Sequence, residues 1–302
     1  MELDPLYHVK QLFYQASYKA AIEEATSQLS SDTDETLSLR RGTYIARSYL
    51  SLSPPDVSSA QKALSPYAAS SSLGVKTVTA FASYLGGDKA KVDEIRDSVL
   101  EIEGNEDEDP FEEGIVRVIS ATVFILEGEN EEAVATLNEG RGKEDLECLA
   151  LLVQLLLTLD RRDLAQSAFN TAKRIGNDSI LVQAIEAWIG LKTGSRPLHQ
   201  SYYFYEELYQ LPSGRTPPVL ASHAASHLLL GHIDEAKADV LEASQKENGD
   251  KDGNVLAVGT SLGIEGYAEK LATNAPRHPF AVDLAEKSRL FDEAASKFAI
   301  TA

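Results

Sequence analysis

Three histidines, His223, His227 and His232, are the first residues whose types and spacing could do chemistry. His223 and His227 stand four apart, which puts both rings on one side of a helix, the spacing that zinc ligands use. The zinc-protease pattern also needs a glutamate directly after the first histidine to act as base, and that position is Ala224. His227 falls at a packing position and His232 in a turn, so no metal site is expected from the trio. Asp250-Lys251-Asp252-Gly253-Asn254 starts like a calcium loop, but its sixth position is Val255 instead of glycine and its twelfth is Ser261 instead of glutamate. The oxygen cage is incomplete, and a polar inter-helix loop is expected. Cys148, the only cysteine, lies in the apolar stretch 146–159 with nothing nearby in sequence to stabilise a thiolate, so it reads as a buried structural thiol. There is no phosphate loop ending in Gly-Lys-Ser/Thr and no Gly-x-Ser-x-Gly elbow. Trp188 falls at a core position. The residues therefore point to no catalysis and no cofactor.

The charge balance narrows the partners. Among 302 residues, 28 are basic and 47 acidic, a net charge of −19. Phosphate contacts need clustered Lys and Arg, so no nucleic-acid partner is expected, and direct adhesion to an anionic membrane is disfavoured. One cysteine allows no internal disulfide, which fits a reducing compartment. Met1-Glu2-Leu3-Asp4-Pro5 lacks the basic and apolar stretches of a secretory signal, and 146–159 is too short for a membrane span of ~20 residues. A cytoplasmic protein is expected, with any membrane contact made indirectly through a partner.

The elements that must carry these residues repeat. Gly128-Glu-Asn-Glu-Glu-Ala133, Asp160-Arg-Arg-Asp-Leu-Ala165 and Gly231-His-Ile-Asp-Glu-Ala236 share a break, polar residues and then an alanine; Ala16-Ser-Tyr-Lys-Ala-Ala21 is a fourth. Ala133 and Ala165 are 32 apart, and the 71 from Ala165 to Ala236 leaves room for one unit centred on Ser201. Weaker units fit around Ala60 and Val92. The period of 32 to 36 is that of the tetratricopeptide helix-turn-helix, ~34 residues. Four residues after the aligned position come Leu137, Phe169, Tyr205 and Val240, and twelve before it Ala121, Val153, Ile189 and Ala224. Small residues mark the close approach of two helices, and large ones fill the layer one turn on. No pair buries its apolar face alone, so neighbours must stack. The expectation is an all-α, right-handed α-solenoid of tetratricopeptide-like repeats. It forms one domain, 1–302, with atypical capping repeats at both ends. Glu101–Glu113, with eight acidic residues and the breakers Gly104 and Pro110, reads as a solvated loop insertion. Val255–Leu262 could form a short extended piece.

With the repeats placed, particular strings resemble one family, the epsilon subunits of coatomer. They are Asp4-Pro-Leu-Tyr7-His-Val-Lys-Gln-Leu-Phe-Tyr14 with Ser17-Tyr18, and the block Leu146-Glu-Cys148, Val153-Gln154, Leu159-Asp-Arg161 and Asp163-Leu-Ala165. Ala187-Trp188, Thr193-Gly194 and Tyr202-Tyr203 form a third match, and His278-Pro279-Phe280 a fourth. The resemblance implies a non-catalytic subunit of the COPI vesicle coat in Golgi-to-ER and intra-Golgi transport. It also implies a peripheral place on Golgi membranes and coated vesicles, and binding to the C-terminal region of the coatomer alpha subunit.

Within the repeat frame, the first helix of each pair lines the inner face. Glu147, Gln154, Gln183 and Glu186 are polar residues on otherwise apolar first helices, which makes them candidate partner-binding residues. Tyr202, Tyr203, Phe204, Tyr205 and Tyr209 are more aromatic than a core needs, so Tyr202 and Tyr209 join the candidates. The competing reading is a tetratricopeptide co-chaperone or other scaffold adaptor holding a peptide in its groove. A clamp for a C-terminal carboxylate needs Lys, Arg and Asn at these inner positions, and they are neutral or acidic.

Overall fold

The computed structural model describes residues 4–32, 34–104 and 109–298. Among them are seventeen α-helices, three short 3-10 turns and no strand. Contacts divide the chain into two compact units, 1–204 and 205–302, where the sequence alone suggested one domain.

The first unit is a run of helix pairs: α1 Tyr7–Tyr14 with α2 Tyr18–Leu29, α3 Glu35–Leu50 with α4 Val57–Leu64, α5 Leu73–Leu85 with α6 Lys91–Glu103, α7 Pro110–Glu127 with α8 Asn130–Leu137, and α9 Leu146–Thr158 with α10 Arg162–Gly176. It ends with α11 Ile180–Thr193 and most of α12 Ser195–Gln210. The second unit holds α13 Pro217–Leu230 with α14 Ile233–Gln245, α15 Gly253–Ser261 with α16 Tyr267–Asn274, and α17 Pro279–Ala295.

The repeat pattern has a direct structural cause. Every aligned small residue, Ala21, Ala60, Ala133, Ala165, Ser201 and Ala236, is at most 1 % exposed. The residues four later, Leu137, Phe169, Tyr205 and Val240, are buried as well. At Ser201 the approach is close enough to dictate chemistry. Its hydroxyl donates to the Ala187 carbonyl at 2.8 Å, and a Cβ on Gly190 would stand 2.1 Å from its oxygen. Five residues before the aligned position the chain turns left-handed, at Ala16, Gly87, Gly128, Asp160 and Gly231. In each case the next N–H reaches back five residues, as in Glu129 to Phe124 at 2.8 Å, Arg161 to Leu156 at 2.8 Å and His232 to His227 at 2.9 Å. That is the Schellman closure, which satisfies carbonyls the helix end would orphan. Gly128 and Gly231, both at φ +84°, take this conformation without strain.

Three apolar clusters succeed one another along the first unit. Val9, Tyr44 and Ile45 lie in the first, Val78, Ile95 and Ile119 in the second, and Phe124, Leu137, Val153 and Phe169 in the third. The second unit is built around Leu220, Ala224, Val240, Leu256 and Leu271.

Two local expectations change. Residues 255–261, read as a possible extended piece, belong to α15; Asp252 caps it by accepting from the N–H groups of Asn254 and Val255, and that cap starts the helix despite two glycines. The acidic insertion is narrower than 101–113. Glu101 and Glu103 end α6, Asp109 caps α7 by accepting from Phe111 N–H, and residues 105–108 lie outside the described residues. Glu112 and Glu113 are buried, because each has work inside. Glu112 accepts from the Ser72 hydroxyl and from Gly74 N–H, both at 2.6 Å, and Glu113 pairs with the buried Arg117 at 2.9 Å.

Candidate partner-binding surface

The six candidate residues separate into three environments. Glu147, at the start of α9, is engaged within the chain. Its carboxylate pairs with the Arg47 guanidinium of α3 and accepts from Tyr14 of α1 at 2.5 Å and Tyr44 of α3 at 3.1 Å. Burial would raise its pKa, but the Arg47 charge and the two hydroxyls outweigh it and hold the carboxyl below the ordinary glutamate range. Burial and the nearby carboxylate raise both phenols, so they remain neutral donors. The cluster borders a cavity of about 480 Å³ that Tyr7, Lys10, Asp145 and Asp178 also line. Glu147, a candidate partner contact, thus makes an internal bond between helices far apart in sequence.

Gln154 on α9 and Gln183 and Glu186 on α11 are exposed. These helices pack against each other, with Val153, Leu156, Val182 and Ile185 buried beneath the polar residues. The polar stripe faces solvent, as the repeat frame requires.

The aromatic candidates are partly committed. Tyr202 is half-buried against Tyr203, ring centroids 5.5 Å apart, and Tyr203 is the exposed ring of the pair. Tyr209 is half-buried, stacked on His223 at 5.1 Å with the Arg215 guanidinium 4.3 Å from its centroid. Trp188 is half-buried, beside Leu157, Thr158, Leu191 and Lys192. Cys148 is buried; burial and then Asp145 push its thiol up, which keeps it protonated and unreactive.

Sequence reasoning missed two features. One is the company kept by the histidines: Asp239 of α14 joins His223 and His227 in a buried group. The other is α17. None of its residues is buried, and Val282, Leu284, Leu290 and Phe291 are exposed, Phe291 at 72 %. Its apolar residues are numerous enough to have suggested a helix, but not that, among the described residues, Phe280 and Ala281 pack on the core while those from Val282 on stay exposed. Among the described residues, no helix is long and apolar enough to cross a membrane.

Paired helices closed by left-handed turns, with a small residue at each crossing, define a tetratricopeptide-type scaffold. Two solved structures share the fold. A tetratricopeptide repeat protein from Parabacteroides merdae superimposes with a TM-score of 0.51 at 16 % identity, covering 90 % of this chain and 96 % of that one. The APC/C hetero-tetramer Cut9–Hcn1 gives 0.56 at 14 % identity, covering 93 % and 54 %. The sequence model of the coatomer epsilon subunit matches residues 2–299, and the chain belongs to that family. Coatomer subunit epsilon-1 of Arabidopsis thaliana is 26 % identical over 300 residues, 98 % of either chain. That of Oryza sativa subsp. japonica is 26 % identical over 280 residues, 91 % of either chain. Coatomer subunit epsilon of Dictyostelium discoideum is 25 % identical over 312 residues, 99 % of this chain and all of the relative. Family membership makes the chain a subunit of the COPI coat, with other coatomer subunits as its partners.

Proposed function

We propose that this chain is a non-catalytic structural subunit that holds the C-terminal region of the coatomer alpha subunit, and reaches Golgi membranes and COPI vesicles from the cytoplasm only through the coat. The observation that carries the reading is the uncovered apolar surface of α17, where Val282, Leu284, Leu290 and Phe291 meet water. Leu284 and Phe291, two turns apart on one side of the helix, are exposed apolar residues of the kind that mark an interaction surface. The polar stripe of Gln154, Gln183 and Glu186 adds a second contact region, suited to hydrogen bonds with a partner segment. A carboxylate clamp of the co-chaperone type finds less support, because Arg47, a buried cation of the inner helices, is already neutralised by Glu147.

The test is co-purification and a binding titration with the C-terminal region of the alpha subunit. Changing Gln154→Lys and Gln183→Lys together should weaken binding by about 2 kcal/mol, the scale of an interface hot spot, with the helical circular dichroism signal intact. Phe291→Asp should weaken it separately. Unchanged affinity in both variants would refute the proposal.

A further inference from the structure

Within residues 205–302 the hairpin α13–α14 gathers an unusual set of side chains. His223 and His227, one turn apart on α13, bring their ring centroids to 4.5 Å. Asp239 projects from α14 so that its Oδ2 lies 2.9 Å from His223 Nδ1. One donor atom from each of the three lies within 4.8 Å of the others, and all three residues are buried. His232, at the hairpin turn, places its Nδ1 3.3 Å from Nδ1 of His227. On the far side of His223, Glu206 of α12 sets its Oε2 3.0 Å from Nε2.

Ordinary packing does not call for this. In the repeats aligned on Ala133 and Ala165 the equivalent positions hold Ser120, Phe124 and Thr136, and Leu152, Leu156 and Ala168, none of them ionisable, and burying several ionisable groups together is costly unless something neutralises them. A tetrahedral zinc with nitrogen and oxygen ligands at 2.0–2.2 Å holds neighbouring donors about 3.3 Å apart. The His223–Asp239 separation of 2.9 Å is near that spacing, and the three donors, all within 4.8 Å of one another, would draw together around an ion. Glu206 supplies what a metal-binding histidine usually has, a carboxylate on its other nitrogen that fixes which nitrogen faces the ion. Here it would hold the proton on Nε2 and leave Nδ1 to the metal, beside Asp239.

We propose that His223, His227 and Asp239 form a site for a divalent transition metal of the zinc class. Imidazole with one carboxylate suits Zn²⁺, Co²⁺ and Ni²⁺ and not the oxygen-seeking Ca²⁺ or Mg²⁺. The three protein donors come from both arms of the hairpin, so the site cross-links α13 to α14 and, through Glu206, engages α12, with the fourth position left to water. The competing arrangement is a metal-free network in which a protonated His223 bridges Glu206 and Asp239.

The test uses the full chain without a polyhistidine tag, stripped by chelator and titrated with Co²⁺, with Zn²⁺ then added in competition. The expected result is one equivalent of Co²⁺ with the intense visible bands of four-coordinate geometry, displaced by one equivalent of Zn²⁺. His227→Gln and Asp239→Asn should each weaken Co²⁺ binding more than tenfold with the far-ultraviolet circular dichroism unchanged. Glu206→Gln, a positioning change, should weaken it by roughly tenfold. Zinc should raise the unfolding temperature of the unaltered chain and not of the variants. Absence of saturable binding, only the weak bands of six-coordinate Co²⁺, or binding that survives both ligand variants would overturn the proposal and leave the metal-free network. Because the unaltered chain is titrated first, a variant that fails to fold leaves the outcome decided.

Discussion

Replacing Glu147 with Gln tests the central bond of the first unit. The substitution keeps the side-chain volume and an acceptor for the Tyr14 hydroxyl, but removes the charge that faces Arg47. The Arg47 side chain is 6 % exposed and that of Glu147 16 %. Breaking a buried pair from one side costs about 3–5 kcal/mol, because it strands the other charge. Arg47 retains two aromatic faces, Phe13 at 4.8 Å and Tyr44 at 5.4 Å, which soften the loss. The expected destabilisation is therefore at the lower end, about 3 kcal/mol. For a unit of this size that lowers the unfolding temperature by roughly 6–12 °C, read by thermal circular dichroism. The pH dependence has a fixed sign. The folded carboxyl titrates below its unfolded value of about 4.3, so its stabilisation is complete above that pH and disappears as pH falls through the lower, folded value. The gap between Glu147→Gln and the unaltered chain should thus be full at neutral pH and narrow in acid. Asp163→Asn, which breaks the exposed pair with Arg161, is the control and should leave the unfolding temperature unchanged. A loss under about 1 kcal/mol for Glu147→Gln at neutral pH would show that the pair behaves as a surface contact and that α3 is not tied to α9 through it.

Two further outcomes follow from the packing. Trp188→Ala should cost about 2 kcal/mol in denaturant titration, below the 3–5 typical of a fully buried ring, since Trp188 is half-buried; a larger loss would place it in the core. Asp109→Ala should cost about 1 kcal/mol by removing the α7 cap, with the Arg40 pair lost as well, and a neutral result would mean that the start of α7 is held elsewhere.

The repeat frame was legible because its signal is local and recurrent. An alanine at a helix crossing and a left-handed turn five residues earlier are required by the same geometry each time, so Ala133, Ala165 and Ala236 could be aligned by eye. The status of Glu147 was not legible, since a glutamate on an apolar helix looks the same whether its counterion is on a partner or a hundred residues upstream. Gln154, Gln183 and Glu186 look the same in sequence and do face solvent, with no counterpart among the described residues of the first unit. Asp239 escaped notice for a related reason. It lies on the return helix of a hairpin, and which α14 residue meets His223 depends on how the hairpin packs. The acidic segment misled through composition: eight carboxylates suggest a solvated loop, yet two of them are anchors for Ser72, Gly74 and Arg117.

Helical repeats are ordinarily assembled from contacts between neighbours, so each pair can settle as soon as the next one exists. The bond between Arg47 and Glu147 breaks that order. Its two ends are separated by 100 residues, which at ribosomal speeds of about 5–20 residues per second is roughly 5–20 s of synthesis. During that interval α3 carries an unneutralised guanidinium among apolar side chains, and α1 and α3 lack their contact with α9. In a nascent chain the amino-terminal pairs therefore lack this one bond until a helix made much later supplies the carboxylate.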